Sequence, residues 1–468
     1  MTSIQIPGPV VLPKETAVQK VEEAEPKRYT SNPTDRSCLA ESLKFHFSGR
    51  IAPNRFMKAA MTEQLCTYDH ESPKNNGIPT KNIERVYKRW GLGRIGLILS
   101  GNVSISLECL ESIGDPVIPL DAPFSGPRFN GFAAMARAGQ AHGSLMVAQV
   151  SHPGRLCVFV DSPVSASEVE VDNEGKGDGI YRYPKPHAAT RQEIKELIRG
   201  FGFAAEYLAK AGWDGVELHG AHGFLMAQFL SPKTNKRTDE YGGSLENRMR
   251  FILEIGREIR KRTPPNFILG IKVNSVEFQD TEFVTAEARE LCRHLEAESF
   301  DFIEITGGTY EKILMHHGWR ESTKKREAFF LEFAEQIVPA LTGKTKVYVT
   351  GGLRSVSGMV SALNSVDGVG LGRPLCEEWF LCKDILEYRV DGAIVPEIPQ
   401  TDFWLFLMAG NRQMRLVGLG AEPAEIWKKE VVAELRTSYP NWVAHKSTAK
   451  ELARYQLIDV DYLPKDNI

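Results

Sequence analysis

No apolar run in this chain approaches the roughly 20 residues needed to cross a bilayer. The opening stretch MTSIQIPGPVVLPKETAVQK holds no apolar core long enough for a signal peptide. Charge of one sign is also missing. The 57 Lys and Arg nearly balance 60 Asp and Glu for a net charge of −3, which excludes the strongly basic profile of a nucleic-acid binder. The seven cysteines (Cys38, Cys66, Cys109, Cys157, Cys292, Cys376, Cys382) form no C-x-x-C pair. Neither a zinc ribbon nor an iron–sulfur cluster is therefore indicated, and their odd number suits a reducing compartment. These absences predict a cytoplasmic protein that binds no nucleic acid, no membrane and no metal.

What is present suits one large core: 468 residues, 42% of them hydrophobic and 25% charged. Residues 1–44, rich in Pro, Glu, Lys and Thr, read as an extended N-terminal arm. From 45 to 388 short apolar runs alternate with amphipathic helical stretches. The strand candidates are 55–61, 95–104, 144–150, 215–219, 267–273, 302–306, 346–350 and 368–372. Between them, Thr190 and Glu193 make a capping box, and Ala288, Leu291, Cys292 and Leu295 repeat at helical spacing. Eight such units predict an α/β fold of the (β/α)₈ barrel type, with a doubly wound open sheet as the other solution of the pattern. Residues 389–468 read as a helical extension. Arm and extension are each compatible with a homo-oligomer.

In such a barrel the C-terminal strand ends carry the chemistry. Strand one ends in Ala59, Ala60, Met61 and Thr62, and strand two leaves room at Gly101. Strand three gives Gln149, an amide that donates and accepts at once. His219 and His222 follow strand four, and Lys272 ends strand five. Strands seven and eight end in Gly351, Gly352 and Leu353, and in Gly372 and Arg373. Glycines there expose backbone N–H groups, and Arg373 adds a fork of donors, so this pair of ends suits a phosphate. A planar heterocycle over the mouth, with Gln149 on its imide edge and Lys272 on its pyrimidine side, fits FMN better than a sugar phosphate.

The motifs NRFMKAAMT, AQVSHPGR, ELHGAHGFLMAQFLSPKTNKRTDEYGGSLENRMRF, VTGGL and GVGLGRP resemble the old yellow enzyme family, over roughly Phe45 to Glu378. The resemblance implies a barrel holding FMN, with NADPH or NADH as hydride donor. Hydride would pass through flavin N5 to the β-carbon of an activated alkene, such as an α,β-unsaturated carbonyl compound or a quinone-like acceptor. The small-molecule substrate would share one pocket with the nicotinamide, giving ping-pong kinetics. It further implies that Ala59, Ala60, Met61, Thr62, Gly101, Gln149 and His219 line the flavin, with the Thr62 hydroxyl near its O4. Lys272 would take the place of a basic residue, usually arginine, near N1 and O2. The glycines 351, 352 and 372, with Leu353 and Arg373, would hold the phosphate. His219 and His222 resemble the pair of N–H donors that polarises the substrate carbonyl.

Phe224 departs from the pattern, because it stands where the family usually has a proton-donating tyrosine. Tyr68, Tyr183 and Tyr310 are candidate replacements. Water could also serve, or the reaction could be an isomerisation or dehydrogenation that needs no such proton. A Schiff-base lyase using Lys272 as nucleophile is a more distant reading, as is a flavin-binding protein without robust turnover. Cys66 reads as an ordinary buried thiol. MHHGW, Met315 to Trp319, reads as part of a substrate wall or as a surface loop.

Overall fold

The structure, a computed structural model, describes residues 25–69, 72–171, 183–274, 282–307, 331–399 and 402–446. Twelve strands run through these residues. β1 (Leu43–Lys44) and β2 (Ile51–Ala52) form an antiparallel hairpin, and β6 (Val164–Ser165) and β7 (His187–Ala188) form a small parallel pair. The other eight are β3 (Phe56–Lys58), β4 (Leu97–Ser104), β5 (Leu145–Ser151), β8 (Gly215–Gly220), β9 (Ile268–Asn274), β10 (Phe302–Thr306), β11 (Lys346–Thr350) and β12 (Gly368–Leu371). They close a parallel barrel, with β12 pairing back onto β3. Each of the eight sequence candidates contains or overlaps one of these strands, so the α/β barrel is the fold and the open sheet is not.

Alternation along the strands explains the closure. Leu97, Leu99, Leu145, Val147, Ile268, Phe302 and Tyr348 face inward and pack together. Their neighbours Ile98, Met146, Ala148, Leu269, Ile271 and Ile303 face the helical shell. Leu43, Phe45 and Ala52 of the β1–β2 hairpin join the inner cluster, so the hairpin seals the floor of the barrel. Polar residues gather at the opposite end.

The helices follow the sequence pattern. α1 spans Lys81–Leu92, α2 Gly126–Gln140, α3 Arg191–Lys210, α4 Leu225–Leu230, α5 Leu245–Arg262 and α6 Glu282–Ala297. Both halves of the Thr190–Glu193 capping box form at the start of α3. Ala288, Leu291, Cys292 and Leu295 lie buried on one face of α6. Beyond the barrel, helix Phe403–Leu419 packs against α1, where Arg85 donates to the Gly418 carbonyl at 3.0 Å. Among the described residues no helix is long and apolar enough to cross a membrane.

Candidate active site

The polar end of the barrel has two walls. The first starts on β8, whose last inward side chain is His219. The chain then turns sharply: His222 has φ of 58°, a left-handed conformation uncommon for any residue but glycine. The turn brings His222 Nδ1 to 2.9 Å from His219 Nε2. His219 Nδ1 lies 2.9 Å from Asn102 Oδ1. Asn102 Nδ2 donates to Thr62 Oγ1 at 3.3 Å, and Thr62 Oγ1 donates to Glu111 Oε2 at 3.1 Å. Phe224 is 1% exposed and stacks on His219, the ring centroids 4.1 Å apart at 29°. Burial, then His222 and Lys272, hold the His219 imidazole well below its usual pKa. Desolvation, then Lys272, pushes His222 down to about 3. Both rings are therefore neutral at physiological pH.

The second wall is ionic. Lys272, in register with His219, lies 2.9 Å from Glu304 Oε2 and 3.6 Å from Glu217 Oε2. Gln149 Nε2 donates to Glu217 Oε2 at 2.6 Å. All four residues are at least 97% buried. Burial and the Glu304 charge raise the Glu217 carboxyl well above the carboxylate range. Burial also works against the charges of Glu304 and Lys272. The Lys272 ammonium nevertheless outweighs it at Glu304, which is lowered, and the two carboxyls outweigh it at Lys272, which is raised. Burial thus favours the neutral acid at Glu217, while Glu304 and Lys272 favour their charged forms as an ion pair. The ammonium form that these carboxyls favour at Lys272 is not a nucleophile, which weighs against the lyase reading.

The ends of strands one and eight are tied together, because Ala59 N–H donates to the Leu371 carbonyl at 2.9 Å. The Cys376 thiol lies 3.5 Å from Met61 Sδ. Gly101 is fixed to the same loop: its N–H donates to Glu63 Oε1 at 2.8 Å, and Tyr87 O–H reaches the same oxygen. Lys58 Nζ, inside the shell, donates to the Leu99 carbonyl at 2.8 Å and sits 4.1 Å from the Trp90 ring centroid. Burial pushes that amine down to about 8. At strand seven, Gly351 and Gly352 have φ of 140° and 77°, values that side chains resist. Arg373, after strand eight, lies with its guanidinium carbon 4.7 Å from the Phe406 ring centroid. The C-terminal helix therefore touches the site, a contact its sequence did not announce.

The sequence candidates thus gather at one mouth. Tyr183 packs with Leu156 and Val171, and Leu156 borders Gly223, beside Phe224. Tyr68 lies further out on the strand-one loop, half-buried. Tyr310 and Met315–Trp319 lie outside the described residues. Cys66 is buried, and burial raises its thiol well above the ordinary value, as expected of an inert thiol. Sequence reasoning missed Asn102, Glu111, Glu217 and Glu304. The available signal was polarity at an inward position, as in GVELH and FIEIT, where a carboxylate interrupts an apolar strand.

Comparison with known proteins bears on the fold and the family. Residues 50–387 match the model of the NADH:flavin oxidoreductase / NADH oxidase family. The NADH-dependent flavin oxidoreductase nadA of Aspergillus parasiticus is 46% identical over 92% of this chain and 97% of its own length. The NADH-dependent flavin oxidoreductase iccE of Talaromyces variabilis is 33% identical over 74% of this chain and 86% of its own. Among solved structures, 2-naphthoyl-CoA reductase matches with TM-score 0.67 and 24% identity, over 86% of this chain and 59% of that one. Morphinone reductase matches with TM-score 0.61 and 23% identity, over 78% and 92%; both structural likenesses speak to the fold. On its motifs, its barrel and these relatives, the chain is a flavin oxidoreductase and belongs to the NADH:flavin oxidoreductase / NADH oxidase family.

Proposed function

We propose that the chain takes reducing equivalents from NADH and delivers them through FMN to a small electron-poor acceptor, an activated alkene of the enone or quinone class. The observation that carries this reading is the convergence of His219, His222, Gln149 and Lys272 at one barrel mouth, beside the glycine ends of strands seven and eight. NADH is preferred because the relatives named above carry it in their names.

The residues present fit FMN. Gln149 spends an N–H on Glu217 and keeps its oxygen to accept from an imide N–H. Lys272 lies against Glu304 at 2.9 Å and Glu217 at 3.6 Å, and its ammonium would face the pyrimidine edge. Gly351 and Gly352 let the backbone turn toward a phosphate, and Arg373 complements its charge. Bound there, FMN would supply the hydride-relay chemistry between nicotinamide and acceptor. The protein's own part is to orient and to exclude water. Phe224 shields His219 on one face, and the closed floor leaves the mouth as the way in. Lys272 offers positive charge where the reduced ring develops negative charge. As an ammonium it lacks the bidentate fork of arginine.

Phe224 favours a second reading, isomerisation or dehydrogenation, because a phenyl ring gives no proton to a carbon centre. One anaerobic experiment separates the two. NADH is added to the purified holoenzyme, then cyclohex-2-enone, while the flavin absorbance is followed and the product identified. Bleaching, recovery and saturated ketone support the first reading. Bleaching without recovery by the enone moves the function to the second.

A further inference from the structure

Two of the seven cysteines meet outside both walls. Cys109 lies in the loop after β4, and Cys157 caps the short turn Gly154–Leu156 after β5. Both thiols are free, and the Cys109 S–H donates to Cys157 Sγ. The Cys157 S–H in turn faces the Glu108 carbonyl, with Sγ 3.9 Å from that oxygen. Each cysteine is pinned by its own loop. Cys109 N–H donates to Ser106 Oγ at 3.1 Å, and its carbonyl accepts from Ser104 Oγ at 3.2 Å. Cys157 N–H donates to the Gly154 carbonyl at 3.0 Å. The backbone N–H groups of Leu110, Phe159 and Val160 point at the Cys157 sulfur from both loops. Donors converging on one atom in this way make a nest for an anion. The Cys109 hydrogen bond, joined by those N–H groups, outweighs burial and holds the Cys157 thiol below its ordinary pKa. Burial pushes Cys109 the other way, well above it. Burial also raises the other five thiols, which leaves Cys157 as the one lowered.

We propose that Cys109 and Cys157 form an oxidation site for hydroperoxides, with Cys157 as the reacting sulfur and Cys109 as the resolving one. The Cys157 thiolate attacks a peroxide oxygen: an S–O bond forms, the O–O bond breaks, and water or an alcohol leaves with the Cys157 proton. Cys109 sulfur then attacks Cys157: an S–S bond forms, the S–O bond breaks, and hydroxide leaves with the Cys109 proton as water. Two electrons pass from the pair to the peroxide, so no further oxidant is needed. A disulfide needs its sulfurs at about 2 Å, and thiols already in hydrogen-bond contact reach that by a small shift of two loops. Cys109 is 5% exposed and Cys157 0%, yet the cover is thin, because Glu108 is exposed and Val158 half-buried. The oxidant is therefore small, hydrogen peroxide or a short alkyl hydroperoxide. Closure would tie the loop carrying Glu111, which accepts from Thr62, to the turn whose Leu156 packs with Val171 and Tyr183.

The test titrates the holoenzyme with hydrogen peroxide and reads its peptides by mass spectrometry. An equimolar dose should remove two hydrogens and join the Cys109 and Cys157 peptides, and dithiothreitol should restore both thiols. The order of reaction is read in two variants. In Cys109→Ser, Cys157 should stop at a sulfenic acid, a gain of one oxygen that dimedone traps. In Cys157→Ser, Cys109 should remain a thiol under the same dose. Flavin content should match the wild type in both, which shows that they fold; where a variant loses its flavin, the wild-type linkage decides. Oxidation of Cys38 or Cys66 ahead of Cys157 would overturn the proposal. So would a Cys109 sulfenic acid in Cys157→Ser, an unreacted pair in excess peroxide, or a Cys157 that passes to sulfinic acid without linking to Cys109.

Discussion

The two walls of the mouth are both buried and both polar, yet they are held in opposite ways. On one, Lys272, Glu217, Glu304 and Gln149 converge, and positive and negative charge cancel within a few ångströms. On the other, Thr62, Asn102, His219 and His222 form a line of neutral side chains that ends on Glu111. An ionic cluster tolerates no single deletion, since removing one charge strands another without water. Removing one member of a neutral line costs hydrogen bonds but strands no charge. The lesson is that burial fixes the first wall in charge and the second only in connectivity.

The largest expected effect comes from breaking the ionic wall. Lys272→Met should destabilise the protein by about 3–5 kcal/mol, read as a lower urea midpoint with and without FMN. A loss confined to the FMN-bound form would mean that the carboxyls do not depend on the lysine. Next is Phe224→Tyr, which returns a proton donor beside the neutral line. Flavin reoxidation by an enone should accelerate by about tenfold to a hundredfold in stopped flow, within the range a positioned acid supplies. An unchanged rate would mean that the proton already arrives by another route.

A third, smaller effect concerns pH. His219 and His222 stay neutral when folded, whereas in the unfolded chain they titrate near the usual histidine value of 6.5. Below that pH the unfolded state takes up protons that the folded state refuses. Stability from this wall is thus whole above 6.5 and lost as pH falls toward about 3. Urea midpoints from pH 8 to 5 should fall, and replacing both histidines by Asn should flatten that fall. Cys66→Ala lies outside both walls and should change stability by about 1 kcal/mol or less. An altered flavin absorbance in that variant would place the thiol in the site after all.

Much of this was legible in the sequence. The barrel followed from eight apolar runs at helical intervals, and the strand-end residues from the rule that chemistry sits at C-terminal strand ends. Lys272 was read as a charge for the flavin, but not as part of a balanced cluster. Its partners Glu217 and Glu304 sit on flanking strands 55 and 32 positions away by number, and nothing local couples them. Glu111 was invisible for another reason. It lies in a loop with no period, and only the fold brings it to Thr62. The stacking of Phe406 near Arg373 depends on how the C-terminal helix docks against α1, which pattern alone does not give.

The hairpin under the barrel has a consequence for how the molecule breathes. With Leu43, Phe45 and Ala52 wedged among the lower inward side chains, the floor opens only by disassembling the sheet around it. Under deuterium exchange the strand amides near Leu97, Leu145, Ile268 and Tyr348 should label as one block, at the rate of global opening. The turns at Gly351, Gly352 and His222 should label far sooner. Slow motion would then be a property of the floor, and the mouth above it would be free to rearrange around each visitor without loosening the fold.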